Sequence, residues 1–227
     1  MFISIFVAVK IRTMLNKEVA DLRKDYRLAS LDEEDVARDP LEQFGRWWKD
    51  ATSGQLDEPN AMTLATSTPD GHPSARIVLL KNFDADGFMF FTNYESQKGL
   101  EMAANPNVSL LFFWKELERQ VRIDGTVSKV TPDVSDEYYN SRPPGSRIGA
   151  IASPQSRVIP HRSFLEEQVR IVAEKYVLTD PARPAYWGGY VVKPVKMEFW
   201  QGRSSRLHDR ILYRLEGNEW KIERLAP

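Results

Sequence analysis

The sequence contains no cysteine, which excludes disulfides, thiol catalysis and thiolate metal sites. Histidine is scarce. His72, His161 and His208 are the three in 227 residues, and none lies at a helical or hairpin ligand spacing from another, which argues against a structural zinc site. Neither sign of charge dominates. With a formal net charge of −1 there is no bulk attraction to nucleic acid or to an acidic membrane, so any anion must be held by local groups of Arg and Lys. Long apolar runs are missing too. Phe2–Val9 falls well short of the ~20 residues that span a bilayer. Lys10 and Arg12 follow that run instead of preceding it, and no small-residue cleavage site is evident, so it does not read as a secretory signal. Residues 1–21 read as an N-terminal extension that need not be ordered, with Met14 as an alternative start. A reducing cytoplasm is compatible with the missing cysteine, and a cytoplasmic location is the expectation.

Several active-site signatures are absent as well. No Gly-rich dinucleotide fingerprint follows a strand, and there is no Walker-type phosphate loop. There is no Gly-x-Ser-x-Gly elbow. A nucleotide-like ligand would have to be held by side chains projecting from strands and loops.

What is present is ordinary for a globular chain: 42% hydrophobic and 28% charged residues, at a length that can bury a core. Leu15–Ala51 reads as helical and amphipathic, with a start at Asp39-Pro40 and with Leu41, Phe44, Trp47 and Trp48 at core spacing. From Ala61 the pattern changes to short strands separated by turns. Strands are expected at Ala61–Ser67, Ala75–Leu80, Phe88–Thr92, Val108–Trp114 and Gln120–Val130, with a short helix at Glu95–Ala104. Helices follow at Pro132–Ser141 and Ser163–Tyr176. Closing strands are expected at Gly189–Val192, Val195–Trp200, Arg210–Leu215 and Glu219–Leu225. Hairpin-like strands at this spacing point to an antiparallel barrel or sandwich with flanking helices, an α+β fold in one domain over residues 22–227.

Four segments could carry chemistry. Arg76-Ile77-Val78-Leu79-Leu80-Lys81 is a strand with a cation at each end; at period two, Arg76, Val78 and Leu80 share one face. Read without a ligand, it is a buried strand with solvated charged ends. Ser96-Gln97-Lys98 opens a helix, where free backbone N–H groups and a lysine suit a phosphate. Arg142-Pro143-Pro144-Gly145-Ser146-Arg147 reads as a rigid turn carrying two guanidinium groups and a hydroxyl, donors that match phosphate oxygens. The densest cluster is Trp200–Arg210, with an aromatic surface, three Arg, His208 and Asp209 in eleven residues between two strands. The neighbours of His208 would tune its pKa. Alone, each segment is also compatible with an ordinary charged surface.

Taken together and in order, Arg76–Lys81, Phe91-Thr-Asn93, Glu118–Val121, Ser141-Arg-Pro143, Gln155-Ser156, Trp187-Gly-Gly189, Glu198–Gly202, Arg206–Arg210 and Glu223–Pro227 resemble the pyridoxamine 5′-phosphate oxidase family, over about Leu22–Pro227. The resemblance implies an antiparallel, Greek-key split β-barrel, a homodimer with FMN at the subunit interface, and a C-terminal segment serving dimerisation and substrate. It also implies oxidation of pyridoxine or pyridoxamine 5′-phosphate to pyridoxal 5′-phosphate, with O2 reduced to hydrogen peroxide. Carried over residue by residue, it assigns FMN to Arg76, Ile77, Val78, Leu79, Leu80, Lys81, Phe91, Thr92, Gln97, Lys98, Gln120, Gln155, Ser156, Trp200 and Arg210. It assigns substrate to Arg23, Tyr26, Lys81, Tyr138, Arg142, Ser146, Arg206 and His208, the last two as the catalytic pair over the substrate ring. Gln97 stands where many relatives have Arg, and Phe91 replaces a frequent Tyr. Two other readings use the same residues: a related split-barrel flavin enzyme with another substrate, and a carrier without catalysis.

Overall fold

The structure is a computed structural model and describes residues 21, 24–54 and 56–227. The expectations for residues 1–20 and for Arg23 lie outside the described residues. The first described helix, α1 (Pro40–Ser53), starts where the sequence puts a helix start. Asp39 caps it, accepting from the backbone N–H groups of Leu41 at 2.7 Å and Glu42 at 3.1 Å, and proline occupies the first turn. The longer helix expected from Leu15 is not formed over 24–39. That stretch is coil and turns, tied down by polar contacts and not by a repeating apolar face.

Nine strands form one curled antiparallel sheet: β1 (Ala61–Ser67), β2 (Pro73–Leu79), β3 (Asn82–Asp84), β4 (Gly87–Asn93), β5 (Asn107–Trp114), β6 (Arg119–Lys129), β7 (Trp187–Gln201), β8 (Asp209–Glu216) and β9 (Glu219–Arg224). Their order is β2-β1-β5-β6-β7-β4-β3, with β8 also paired to β7 and β9 to β8. Among the described residues the α-helices are α1, α2 (Gln97–Ala104), α3 (Pro132–Ser141), α4 (Pro144–Ala152) and α5 (Arg162–Lys175). This is the α+β split barrel.

Two expectations change here. The strands expected at Gly189–Val192 and Val195–Trp200 form one 15-residue element, β7, because Pro194 falls at an irregularity opposite Asp124/Gly125 where pairing shifts register. Arg142–Arg147 is not merely a turn. Pro144 opens α4, so Ser146 and Arg147 sit on a helix; a proline in the first turn removes an N–H that a helix leaves unpaired anyway.

The core lies between α1 and the sheet. Phe44 is fully buried and packs its ring against Phe83, Phe88, Phe112 and Trp114 at centroid distances of 4.9–6.0 Å. Trp47 packs edge-on against Phe199 at 5.2 Å. The helix tryptophans therefore serve packing, as their spacing predicts.

β7 organises everything that follows. Its first half, Trp187–Val192, pairs with β4, and its second half, Lys196–Gln201, pairs with β8. At about 3.3 Å per residue it runs roughly 46 Å along its length.

Candidate functional site

At the β4 end, β2, α2, α3 and α4 enclose a cavity of about 630 Å³. It is lined by Arg76, Ile77, Val78, Leu79, Lys81, Phe91, Thr92, Lys98, Tyr138, Arg142, Ser146 and Gln155, all anticipated from sequence, together with Pro143 and Trp187. Leu80 is the exception in this segment: it follows the end of β2, and its side chain is buried in the core. Gln97 and Ser156 are not among the lining side chains. Gln97 donates instead to Glu101 at 2.9 Å, and Ser156 is exposed with φ of 69°.

The cavity has two cationic poles. At the first, Arg76 is held rather than solvated. Its Nη1 donates to the Leu64 carbonyl and to Thr66 Oγ1, and its Nη2 to Ser74 Oγ at 2.7 Å and Glu101 at 3.2 Å. Lys98 is buried beside it, with one long contact of 3.4 Å from Nζ to Ser96 Oγ. Burial, and then the charge of Arg76, lower the Lys98 pKa, while Glu101 opposes them. Ser96 caps α2, so free N–H groups of a helix start add to this pole. At the second pole Arg142 lies on the face of Trp187, 4.6 Å from the ring centroid, and Lys81 stands 5.8 Å over Tyr138. Arg142 Nη1 is buried and has no hydrogen-bond partner among the described residues. A buried donor on a charged group is costly to leave unpaired, so an acceptor is due at this point.

Between the poles the wall is apolar and flat. Phe91 stacks on Tyr138 at 4.0 Å and lies 5.7 Å from Trp187. Phe91 also sits over Gly189, its partner in the β4–β7 ladder; a Cβ there would come within 2.8 Å of the ring.

At the far end of β7 lies a second depression, of about 640 Å³, lined by Lys24, Asp25, Tyr26, Arg203, Ser205, Arg206 and His208. Its floor is the β7–β8 loop, in which Ser205 and Arg206 take left-handed φ of 56° and 63°. His208 packs against Trp200 at 4.6 Å and faces Tyr26 at 6.0 Å. Its Nδ1 accepts the Arg203 N–H at 3.1 Å, which leaves Nε2 to carry the proton of the neutral ring. Burial lowers its pKa, the charge of Arg206 lowers it further, and Asp209 pulls the other way. Asp209 makes no hydrogen bond to this imidazole. It accepts from Leu31 N, Arg203 and Arg224 and so fixes the loop. Gln120, Trp200 and Arg210 are cross-strand neighbours on β6, β7 and β8. Arg210 is engaged with Glu198 at 2.8 Å and with the Ala226 carbonyl at 2.8 Å.

The expected substrate cradle is therefore divided. Lys81, Tyr138, Arg142 and Ser146 lie at one end of β7, and Tyr26, Arg206 and His208 at the other. Within one chain the two sets line separate pockets.

The sequence reading missed Trp187 as a lining residue and three buried carboxylates that sit behind the cations. These are Glu101 behind Arg76, Glu198 behind Arg122 and Arg210, and Glu118, which accepts from the N–H groups of Arg27 and Leu28. A hint was present for Glu101 in its i+4 spacing from Gln97.

Residues 49–176 match the family model described as pyridoxamine 5′-phosphate oxidase, and residues 187–227 match that for the pyridoxine 5′-phosphate oxidase C-terminal dimerisation region. The chain belongs to the pyridoxamine 5′-phosphate oxidase family. A relative from Cupriavidus pinatubonensis, named pyridoxine/pyridoxamine 5′-phosphate oxidase, is 60% identical over 92% of this chain and 99% of its own length. Among solved structures, PhzG from Burkholderia lata 383, in complex with tetrahydrophenazine-1-carboxylic acid, superposes with a TM-score of 0.84 at 29% identity, covering 90% of this chain and all of PhzG. An FMN binding protein from Nostoc punctiforme PCC 73102, related to this family, has a TM-score of 0.66 at 16% identity over 85% of this chain and all of its own, and shares the fold. The match to the C-terminal dimerisation region covers the β7–β8 loop that floors the second depression, but not Lys24, Asp25 and Tyr26 on its other side. Among the described residues, no group of His, Asp and Glu could hold a metal, and no helix is long and apolar enough to cross a membrane.

Proposed function

We propose that this chain is an FMN-dependent oxidase that converts pyridoxine and pyridoxamine 5′-phosphates to pyridoxal 5′-phosphate, working as a cytoplasmic homodimer in vitamin B6 metabolism. With the alcohol substrate, O2 becomes hydrogen peroxide. With the amine, water is also consumed and ammonia released.

The observation that carries this reading is the pair of cationic poles in one cavity, separated by a flat apolar wall. Two phosphate-bearing ligands side by side need that arrangement, whereas a carrier of one flavin needs a single pole. FMN fits the donor set: Arg76, Lys98, Thr92 and Gln155 for its polar end, and Ile77–Leu79 and Phe91 for its ring system. Bound flavin supplies the redox chemistry, accepting a hydride equivalent and passing electrons to O2. The protein holds and orients. Lys81, Tyr138, Arg142 and Ser146 take the substrate phosphate, remote from the reacting carbon, so that binding energy is spent on position. The unpaired Nη1 of Arg142 gains its acceptor in that complex.

Arg206 and His208 complete the site from the partner subunit in this reading. The Nε2–H of His208 and the Arg206 guanidinium would face the substrate ring and its 3-oxygen and favour the electron distribution of the forming aldehyde or imine. Arg210, with Gln120 and Trp200, would add a cation beside the flavin.

Complementation tests both the chemistry and the division of the site. Purified protein should be yellow and should release peroxide from both phosphorylated substrates; a colourless protein that stays silent with added FMN would sink the proposal. Arg142→Ala and Arg206→Ala should each be nearly inactive. Dimers re-formed from a mixture should recover roughly a quarter of wild-type activity, because half are hybrids with one intact site. No recovery would mean that each site is built within one chain.

A further inference from the structure

Glu101 is a carboxylate buried under the cation that anchors the first pole, and the chemistry above gives it no task. Four donors converge on it: Thr66 Oγ1, Ser74 Oγ at 2.6 Å, Arg76 Nη2 at 3.2 Å and, on its other oxygen, Gln97 Nε2 at 2.9 Å. Burial alone would raise its pKa; these hydrogen bonds outweigh it and hold the group down at about 2, so it is ionised at neutral pH.

Its surroundings show what that charge does. Arg76 rises from β2, an edge strand of the sheet on which Pro73, Ala75 and Ile77 are exposed. Nothing in the strand itself would stop a guanidinium there from swinging into water. It is stopped by Leu64 O, Thr66, Ser74 and Glu101, and the two hydroxyls that orient Arg76 are themselves donors to Glu101. The carboxylate therefore fixes the hydroxyl hydrogens as well as the guanidinium. It also sits beside both Arg76 and Lys98, two cations that repel each other in a buried pocket.

We propose that Glu101 is a positioning residue for phosphate binding: by accepting hydrogen bonds from Arg76 and from the Thr66–Ser74 hydroxyl pair it locks them into an arrangement that aims the guanidinium into the cavity. Gln97 completes the lock. In this chain its neutral amide binds the second Glu101 oxygen without competing with Arg76 for charge, which gives the Gln at this position a role. This inference rests on the flavin reading above and adds to it a residue that touches no ligand.

The readout is the ratio of FMN affinity to riboflavin affinity, since the two flavins differ in the phosphate alone. It is measured by flavin fluorescence on the purified full-length protein stripped of flavin. Wild type should prefer FMN. Glu101→Ala should cut that preference by about tenfold or more, the scale of a lost hydrogen-bonded charge, with riboflavin affinity unchanged. Glu101→Gln, which keeps an acceptor for Thr66, Ser74 and Arg76, should hold the preference to within about threefold. In an Arg76→Ala background, Glu101→Ala should change the preference no further. Should Glu101→Ala not fold, Glu101→Asp, which withdraws the carboxylate by one methylene, should lower the preference in the same sense. A variant that weakens both flavins equally, or neither, overturns the proposal and leaves the flavin reading standing. A wild-type protein that binds neither flavin overturns both.

Discussion

In the proposed function the two ends of β7 solve the same problem, presenting cations to a ligand, by opposite means. At the Trp187 end the groups come from strands and helix starts, and the pole is set before any ligand arrives: Arg76 is fixed by protein acceptors and Lys98 is buried beside it. At the Trp200 end the groups come from a loop with two left-handed residues and from the coil around Tyr26. Arg206 is exposed, and His208 is held through one backbone N–H. The lesson is a division of labour. Regular elements suit groups that must be fixed in place, as for a retained cofactor and the phosphate of a substrate, and a loop suits groups that must admit and release the rest of that substrate.

The sharpest way to break this comparison is to remove Arg206 or His208. If the loop serves turnover and the cavity serves retention, Arg206→Ala and His208→Ala should lower turnover by about a hundredfold or more while flavin content per chain stays at the wild-type level. Peroxide release and visible absorbance measure the two quantities. Loss of flavin would place the loop with the cofactor and erase the distinction.

A smaller effect is expected from Gly202→Ala. A Cβ at this buried glycine would stand 2.7 Å from the Tyr26 ring, so the tyrosine must shift. The Gly202 N–H is bound to the Glu118 carbonyl at 2.7 Å, which limits retreat of the strand. A cost of about 1–3 kcal/mol in stability should accompany a KM several-fold higher, with flavin affinity untouched. Chemical denaturation and steady-state kinetics would show it, and an unchanged KM would remove Tyr26 from the substrate side.

The smallest effect concerns pH. The folded pKa of His208 is depressed by burial and by Arg206, so its contribution to stability is complete above the ordinary imidazole value of about 6.5 and is lost as pH falls through the depressed value. Activity that needs the neutral ring should fall over the same acid limb. Arg206→Gln removes one cause of the depression and should move the histidine's NMR titration to higher pH; an unmoved titration would show that Arg206 does not act on it.

Much of this molecule is legible in its sequence because short-range rules govern it. The Asp39-Pro40 start, the core spacing of Phe44 and Trp47, and the strands from Ala61 to Val130 follow from capping, periodicity and turn chemistry. The same rules marked Arg76–Lys81, Lys98 and Arg142 as candidate ligand groups, the family resemblance added Phe91 and Gln155, and the structure gathers all of these except Leu80 in one cavity. Where the sequence was read locally, as in the turn at Arg142–Arg147 and the break after Val192, context decided otherwise: a first helical turn in one case, a register shift against a neighbouring strand in the other.

What the sequence by itself determined is the set of groups and the elements that bear them, because each is fixed within a few residues. What only the tertiary structure decided is who stands beside whom. Leu80 turns into the core, Glu101 closes on Arg76 from 25 residues away, and a 15-residue strand holds Arg206 and His208 far from Arg142. Those relations depend on strand order, register and length across the whole sheet, and no window of sequence contains them.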